Sequence, residues 1–227
     1  TPSGRPTWPS GRWKCRHFIR MADTVAILLA AGESRRMGRV KALLPWRGTT
    51  LLVHQVSALR EAGVGQVVVV LGHQVERLEP EIRDIAGVTW AVNPDYHQGK
   101  TTSIKVGMGA LGPEDLAAIL ILNVDQPRRP DTIRELIRRH FAGGGLITIP
   151  TYRGKGGHPI VLDPALLPEL RSISEEAFGV KAVVRAHEDS TCRVEMATPE
   201  VLWDLNTPGE YREALAAEGS PGPVERP

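Results

Sequence analysis

The chain predicts an α/β fold, Rossmann-like, with a mostly parallel sheet as the middle of three layers and helices on both faces. Three observations carry this. Apolar runs rich in β-branched residues recur along the chain, helical patterns alternate with them, and no self-similar repeat of fixed period is present. Parallel strands are covered on both sides, so they read as continuous apolar runs.

The first strand is expected over residues 24–29, followed by a loop holding two glycines, Gly32 and Gly38. Residues 50–62 place apolar side chains at helical spacing and stop at Gly63. A strand over 66–71 (QVVVVL), a short helix over 74–84, a strand over 87–92 and a helix over 103–111 come next. The most apolar strand is expected over 117–124, and a helix over 130–141 opens on a proline. Further strands are predicted at 145–149, 160–162 and 201–205, with helices over 164–170, 180–187 and 208–217.

At 227 residues and 41% hydrophobic content the chain can bury one sizeable core, which predicts a single domain over 21–217. Residues 1–20 hold five cations (Arg5, Arg12, Lys14, Arg16 and Arg20) and no acids, lack an initiating Met and are rich in Pro, Gly and Trp. They are expected to be a non-native or disordered extension, with Met21 as the natural start and residues 218–227 as a disordered tail. A nucleic-acid partner is not expected, because aromatic interleaving is sparse and the rest of the chain is mildly acidic. Cys15 and Cys192 match no metal spacing, so a reduced, cytoplasmic compartment without a disulfide is expected. No apolar run approaches the roughly 18 residues of a membrane span, and no secretion signal is visible.

Ligands of an open parallel sheet bind where strands exit. The first exit, Leu29-Ala30-Ala31-Gly32 through Arg36, Gly38 and Lys41, offers backbone that can approach an anion closely, with Arg36 as a planar fork and Lys41 as a point charge. A phosphate loop and an ordinary glycine turn with solvated cations are both compatible with that local pattern. The second exit runs from Asn93 to Ser103 and suits a base, ribose or phosphate. Its Gly99-Lys100-Thr101 lacks the upstream glycine of a Walker A loop, since Pro94 stands there. At the third exit, Asp125 is either a Mg²⁺ ligand or a cap for the next helix. The fourth exit is Trp203-Asp204-Leu205-Asn206-Thr207-Pro208, where Thr207 is a plausible N-cap.

These segments, LAAGESRRMGRVKALLPWRG at Leu29, NPDYHQGKTTSIKVGM at Asn93, DQP at Asp125, GGHPIVL at Gly156 and DLNTPGEY at Asp204, resemble the MobA-like nucleotidyltransferase family in order, from about Val25 to Tyr211. Within that family they are most similar to the molybdenum cofactor cytidylyltransferases. The resemblance implies the nucleotide-diphospho-sugar transferase type of fold. It gives triphosphate binding to Leu29, Ala30, Ala31, Gly32, Arg36 and Lys41, with Asn93 and Ser103 on the nucleotide, and Mg²⁺ to Asp125 with Asn206. Ala31 in Ala-Ala-Gly leans toward CTP, whereas Ala-Gly-Gly is more typical of the guanylyl branch. The implied reaction is attack by the phosphate of molybdopterin on the α-phosphorus of CTP, with Arg36, Lys41 and Asp125 as catalytic residues; a MobA-like guanylyltransferase, a sugar-phosphate or other small-molecule nucleotidyltransferase, and a non-catalytic nucleotide-binding protein are the alternatives. A recipient molybdoenzyme or its chaperone is the implied protein partner.

Three positions depart from the family pattern. Asn206 stands where Asp usually precedes Thr-Pro, and Gly179-Val180-Lys181-Ala182 replaces Gly-Asp-Lys-Gly. Arg128 and Arg129 follow Pro127 where apolar residues are common; they face either an anionic acceptor or solvent, and solvent is the expectation. His158 and Lys181 are the candidates for acceptor binding, although a structural hydrogen bond suits His158 equally. A phosphate nucleophile, with a second pKa of about 6, needs no general base. The other six histidines are read as surface or packing residues.

Overall fold

The computed structural model describes residues 21–112 and 116–219. Strand β1 (Thr24–Ala30) is buried at every position, because it lies mid-sheet with both faces covered. The chain then passes through single 3₁₀ turns at Arg35–Met37 and Lys41–Leu43 into a small hairpin, β2 (Pro45–Trp46) and β3 (Thr49–Thr50), and on to α1 (Leu51–Glu61). Thr50 caps α1, its side-chain oxygen accepting the Val53 N–H at 3.3 Å. There follow β4 (Gln66–Leu71), α2 (Val75–Leu78), β5 (Val88–Val92), α3 (Lys100–Gly109), β6 (Ala118–Asn123) and α4 (Pro130–Gly143). The chain closes with β7 (Ile147–Tyr152), β8 (Lys155–Gly156), β9 (Ile160–Leu162), α5 (Leu167–Ser172), α6 (Val180–Ala186), β10 (Thr191–Glu195) and α7 (Pro208–Ala217).

The strands form one sheet in the order β10-β7-β9-β6-β1-β4-β5, with β8 paired on β7. The β1 pairings with β4 and β6, and those of β4 with β5 and β7 with β10, are parallel. Strand β9 runs antiparallel between β6 and β7. The segment from β7 to β9 is too short for the helical crossover that a parallel pairing requires.

Alternate residues of β1 feed two cores. Ala26, Leu28 and Ala30 face a cluster that includes Leu52, Val56 and Leu59 of α1 and Ile133, Leu136 and Ile137 of α4. Ile27 and Leu29 face Ile104 and Met108 of α3, Leu170 of α5 and Val183 of α6. The predicted three-layer arrangement is therefore present. A third cluster, Trp46, Leu205, Tyr211 and Leu215, fastens α7 to the hairpin. Full burial of each such aliphatic side chain contributes about 1.5–3 kcal/mol, which makes the sheet a firm base for the loops at its carboxyl edge.

Several expectations need correction. Residues 201–205 are not a strand: Pro199–Leu202 is a 3₁₀ turn, and the Val201 carbonyl accepts from His158 N–H and Arg128 instead of a sheet neighbour. The edge strand is β10, whose polar Thr191, Arg193 and Glu195 hid it from a search for apolar runs. Pro80 splits the helix expected over 74–84 into α2 and a 3₁₀ turn at Glu79–Glu81. Helix α3 begins at Lys100, earlier than expected. Glu218 is not part of a disordered tail, because its nearly inaccessible carboxylate pairs with Arg47 at 2.8 Å and Arg129 at 3.0 Å. Met21 packs into the core, while the expectations for residues 1–20 and 220–227 lie outside the described residues. Cys192 is a free thiol, and Cys15 lies outside the described residues. Among the described residues no helix is long and apolar enough to cross a membrane.

Candidate active site

The opening loop, the start of α3, the turn after β6 and the segment before α7 enclose a cleft of about 370 Å³. Leu29, Ala30, Ala31, Gly32, Lys41, Ser103, Asp125 and Asn206 all line it. The loop is shaped by Ser34 (φ 57°) and Gly38 (φ 67°), not by a left-handed Gly32, beside which the space for a side chain is open. Ser34 Oγ accepts the Lys41 N–H at 3.1 Å and folds the loop back, so that Lys41 returns over the cleft.

Lys41 is buried, and its Nζ donates to Asp125 Oδ2 at 2.6 Å and to Asn206 Oδ1 at 2.9 Å. Arg36, at the rim, donates from Nη2 to the same Asn206 oxygen at 2.9 Å. Four residues from three segments far apart in sequence thus meet, with both cations aimed at the Asn206 oxygen. Asp125 caps no helix: the N-cap position of α4 is Arg129, without a side-chain cap. The turn that presents Asp125 is pinned by Gln55, whose Nε2 donates to the Asn123 carbonyl at 3.2 Å. Leu205 N–H donates to the Asp125 carbonyl at 2.8 Å, tying that turn to the irregular segment before α7, which follows a 3₁₀ turn and is not a strand exit.

Asp204 also lines the cleft, and burial raises its pKa, with the neighbouring Asp125 charge acting in the same direction. Two carboxylates that repel across a shared space, with an amide oxygen beside them, are a suitable donor set for a hard cation. Among the described residues no group of three or more His, Cys, Asp or Glu side chains is gathered for a metal. A cation here would therefore complete its shell with phosphate and water oxygens, which suits Mg²⁺. Asn206 Oδ1 is held by Arg36 and Lys41, so it joins such a shell only by releasing a donor.

Asn93 does not reach the cleft. It is 1% exposed, and its Nδ2 donates to Thr102 Oγ1 and Ser103 Oγ, both at 2.9 Å, while its Oδ1 accepts the Asp95 N–H at 3.0 Å. It braces the first turn of α3, and Ser103 carries that brace to the cleft wall. Thr207 caps α7 in a reciprocal capping box with Glu210, as its place before Pro208 predicts.

A second cavity of about 670 Å³ adjoins the first and contains His158 and Lys181. Burial drives the His158 pKa down to about 3, helped by Lys100, Arg128 and Lys181, so the ring is neutral. Its buried Nδ1 has no hydrogen-bond partner. Apolar Ile104, Ile121, Ile149 and Val180 share the cavity with the cations Arg185 and Arg193.

The sequence reading misplaced Arg128 and gave Lys100 no role. Arg128 is wholly buried, not solvated: its guanidinium donates to the carbonyls of Pro127 (2.8 Å), His158 (2.7 Å), Val201 (2.9 Å) and Trp203 (3.2 Å). Arg129, half exposed, pairs with Glu200 and Glu218. Lys100 lines both cavities. The available signal for it was its place in the second exit, directly after Gly99 and ahead of the helical pattern.

Residues 26–191 match the MobA-like NTP transferase domain. The molybdenum cofactor cytidylyltransferase of Escherichia coli is 27% identical over 84% of this chain and 95% of its own length. Nicotine blue oxidoreductase of Paenarthrobacter nicotinovorans is 31% identical over 73% of this chain and 85% of its own. The bifunctional protein GlmU of Geobacter sulfurreducens is 35% identical over 61% of this chain, but the match spans only 29% of that protein. Among solved structures, Rv0371c of Mycobacterium tuberculosis superposes with a TM-score of 0.72 at 26% identity, covering 85% of this chain and 98% of its own, and it has also been crystallised with manganese. With the fold, the ordered loops and the family match in agreement, the chain belongs to the MobA-like NTP transferase family and is a nucleotidyltransferase.

Proposed function

We propose that the protein transfers a CMP group from CTP to the phosphate of a molybdopterin-type acceptor, releasing pyrophosphate. The single observation that carries the nucleotidyl half is the meeting of Lys41 and Asn206 with Asp125 in the cleft, with Arg36 reaching the same Asn206 oxygen from the rim. A lone pair on an acceptor phosphate oxygen forms the new bond to the α-phosphorus, and the bond to the bridging oxygen breaks, its electron pair leaving with pyrophosphate. Both reactants are anionic, so rate comes from alignment and from neutralising charge. Lys41 and Arg36 supply fixed positive charge on the triphosphate side. Asp125 and Asp204 are the residues that would hold Mg²⁺, which supplies Lewis-acid neutralisation of the phosphate oxygens when bound. The manganese complex of the mycobacterial structure supports a divalent cation in this reading.

Ala31 supports the choice of CTP over GTP. The near full-length similarity to the Escherichia coli cytidylyltransferase supports the acceptor, and so does a second cavity that sets Lys100, Lys181, Arg185 and Arg193 against Glu175 and Glu188 around an apolar lining. The partial match to GlmU favours a sugar 1-phosphate as the alternative acceptor.

Pyrophosphate release with each of the four NTPs, with molybdopterin or with N-acetylglucosamine 1-phosphate, separates these readings. The expected result is Mg²⁺-dependent turnover with CTP and molybdopterin. Turnover with GTP, or with the sugar phosphate alone, replaces the substrate assignment.

A further inference from the structure

The two cavities are joined at one side chain. Among the residues that line them, Lys100 alone belongs to both: the nucleotide cleft reaches it from Gly99 and Asp125, and the second cavity from Thr101 and His158. In a direct transfer the phosphorus is attacked from the acceptor side while pyrophosphate departs on the nucleotide side. With the nucleotide in the first space and the acceptor in the second, the transferred phosphoryl group would lie where the two meet.

Lys100 is fixed there by its backbone. It is the first residue of α3, and Gly99 before it has φ 123°, where a Cβ would lie 2.5 Å from Glu175 Cγ. Glu175 Oε1 in turn accepts the Thr101 N–H at 2.6 Å. Glu175 thus holds the turn, and the residue between the two contacts is Lys100. Surrounding protein atoms lower the Lys100 pKa, while Asp125, Asp204 and Glu175 act to raise it and Lys181 to lower it. The side chain itself is exposed, so its ammonium is open to an incoming phosphate and can donate charge-assisted hydrogen bonds to its oxygens.

We propose that Lys100 is a catalytic residue, its ammonium contacting the α-phosphoryl group during transfer. This rests on the nucleotidyl-transfer reading but on neither the base nor the acceptor named for it. Lys41 and Arg36 serve the triphosphate from the loop side, and Lys100 serves the reacting phosphorus from the opposite wall.

The test compares Lys100→Met, which keeps the stem and removes the charge, and Lys100→Arg with the wild-type protein. Calorimetry with Mg²⁺ measures binding of a nucleoside, its monophosphate and its triphosphate, using whichever base the wild-type protein binds most tightly. The monophosphate carries only the phosphate that Lys100 is proposed to contact. Lys100→Met is expected to bind the nucleoside within about twofold of the wild type and the monophosphate about tenfold more weakly, as for one lost charge-assisted hydrogen bond, with Lys100→Arg recovering much of that loss. Undiminished monophosphate binding in Lys100→Met overturns the proposal. So does an equal loss of nucleoside binding, which marks a structural role. A wild-type preference for a base other than cytosine overturns the CTP assignment and leaves the Lys100 comparison intact. A wild-type protein that binds no nucleotide overturns both.

Discussion

Arg128 carries its charge inside the protein and uses it on backbone. Burial pushes its pKa down to about 9 despite Glu200, Asp204 and Asp125 nearby, and its donors hold four carbonyls from three segments. Arg128→Met fills much of the space but strands those oxygens. We expect a loss on the order of 3–5 kcal/mol in urea unfolding at constant slope. His158 gives a pH signature. Its folded pKa of about 3 lies below the ordinary value of 6.5, so the unfolded chain binds the extra proton between those limits. Its stabilising effect is complete above about pH 6.5 and is lost as pH falls toward 3. A His158→Gln variant is expected to show a shallower decline in unfolding free energy over that window, and an unchanged decline would refute the assignment. Lys41 and Asp125 were legible in the sequence because each sits at a strand exit beside residues that make no sense as core. Arg128 was not legible, because its burial depends on the irregular 199–203 segment returning across the turn after β6.

At the level of elements, the helices behave as parts of the site. The first turn of α3 carries Lys100 and Ser103, and further along the helix passes so close to β1 and β4 that a Cβ on Gly107 would lie 2.5 Å from Ile27 Cγ2 and 3.1 Å from Val70 Cγ2. An alanine there gains about 1 kcal/mol of helix propensity. Overpacking against two β-branched side chains costs about 1–3 kcal/mol, so Gly107→Ala is expected to lower the urea midpoint. Helix α7 is set by Thr207, whose side chain accepts the Glu210 N–H while Glu210 Oε2 accepts the N–H groups of Asn206 and Thr207. Thr207→Ala should cost about 1 kcal/mol and lower Tm by roughly 2–4 °C. It should also loosen Asn206 and reduce turnover with no change in the metal requirement. The capping box could be read from Thr-Pro and the glutamate that follows. Strand β10 could not, since a half-exposed edge strand does not display the continuous apolar run of a buried parallel one.

For the molecule as a whole, the buried strands and the helices that cover them were legible because a parallel sheet imposes long apolar runs. The antiparallel β9 was harder to see, since its direction follows from the short connection after β7 rather than from its own residues. Asp125, Lys41 and Asp204 meet although they come from three separate segments, two strand exits and the irregular stretch before α7, and the second cavity lies against the cleft with Lys100 between them. Under the proposed function the carboxylates would hold the Mg²⁺ that neutralises phosphate charge, and the second cavity would be the acceptor's side. The most direct measurement is pyrophosphate release from CTP with molybdopterin by the wild-type protein and by Asp125→Asn, titrated with Mg²⁺. Wild-type turnover that requires both the acceptor and the cation, with a fall of at least about a hundredfold in Asp125→Asn, is the predicted result. Equal turnover by the two proteins, or wild-type turnover without a divalent cation, would contradict it.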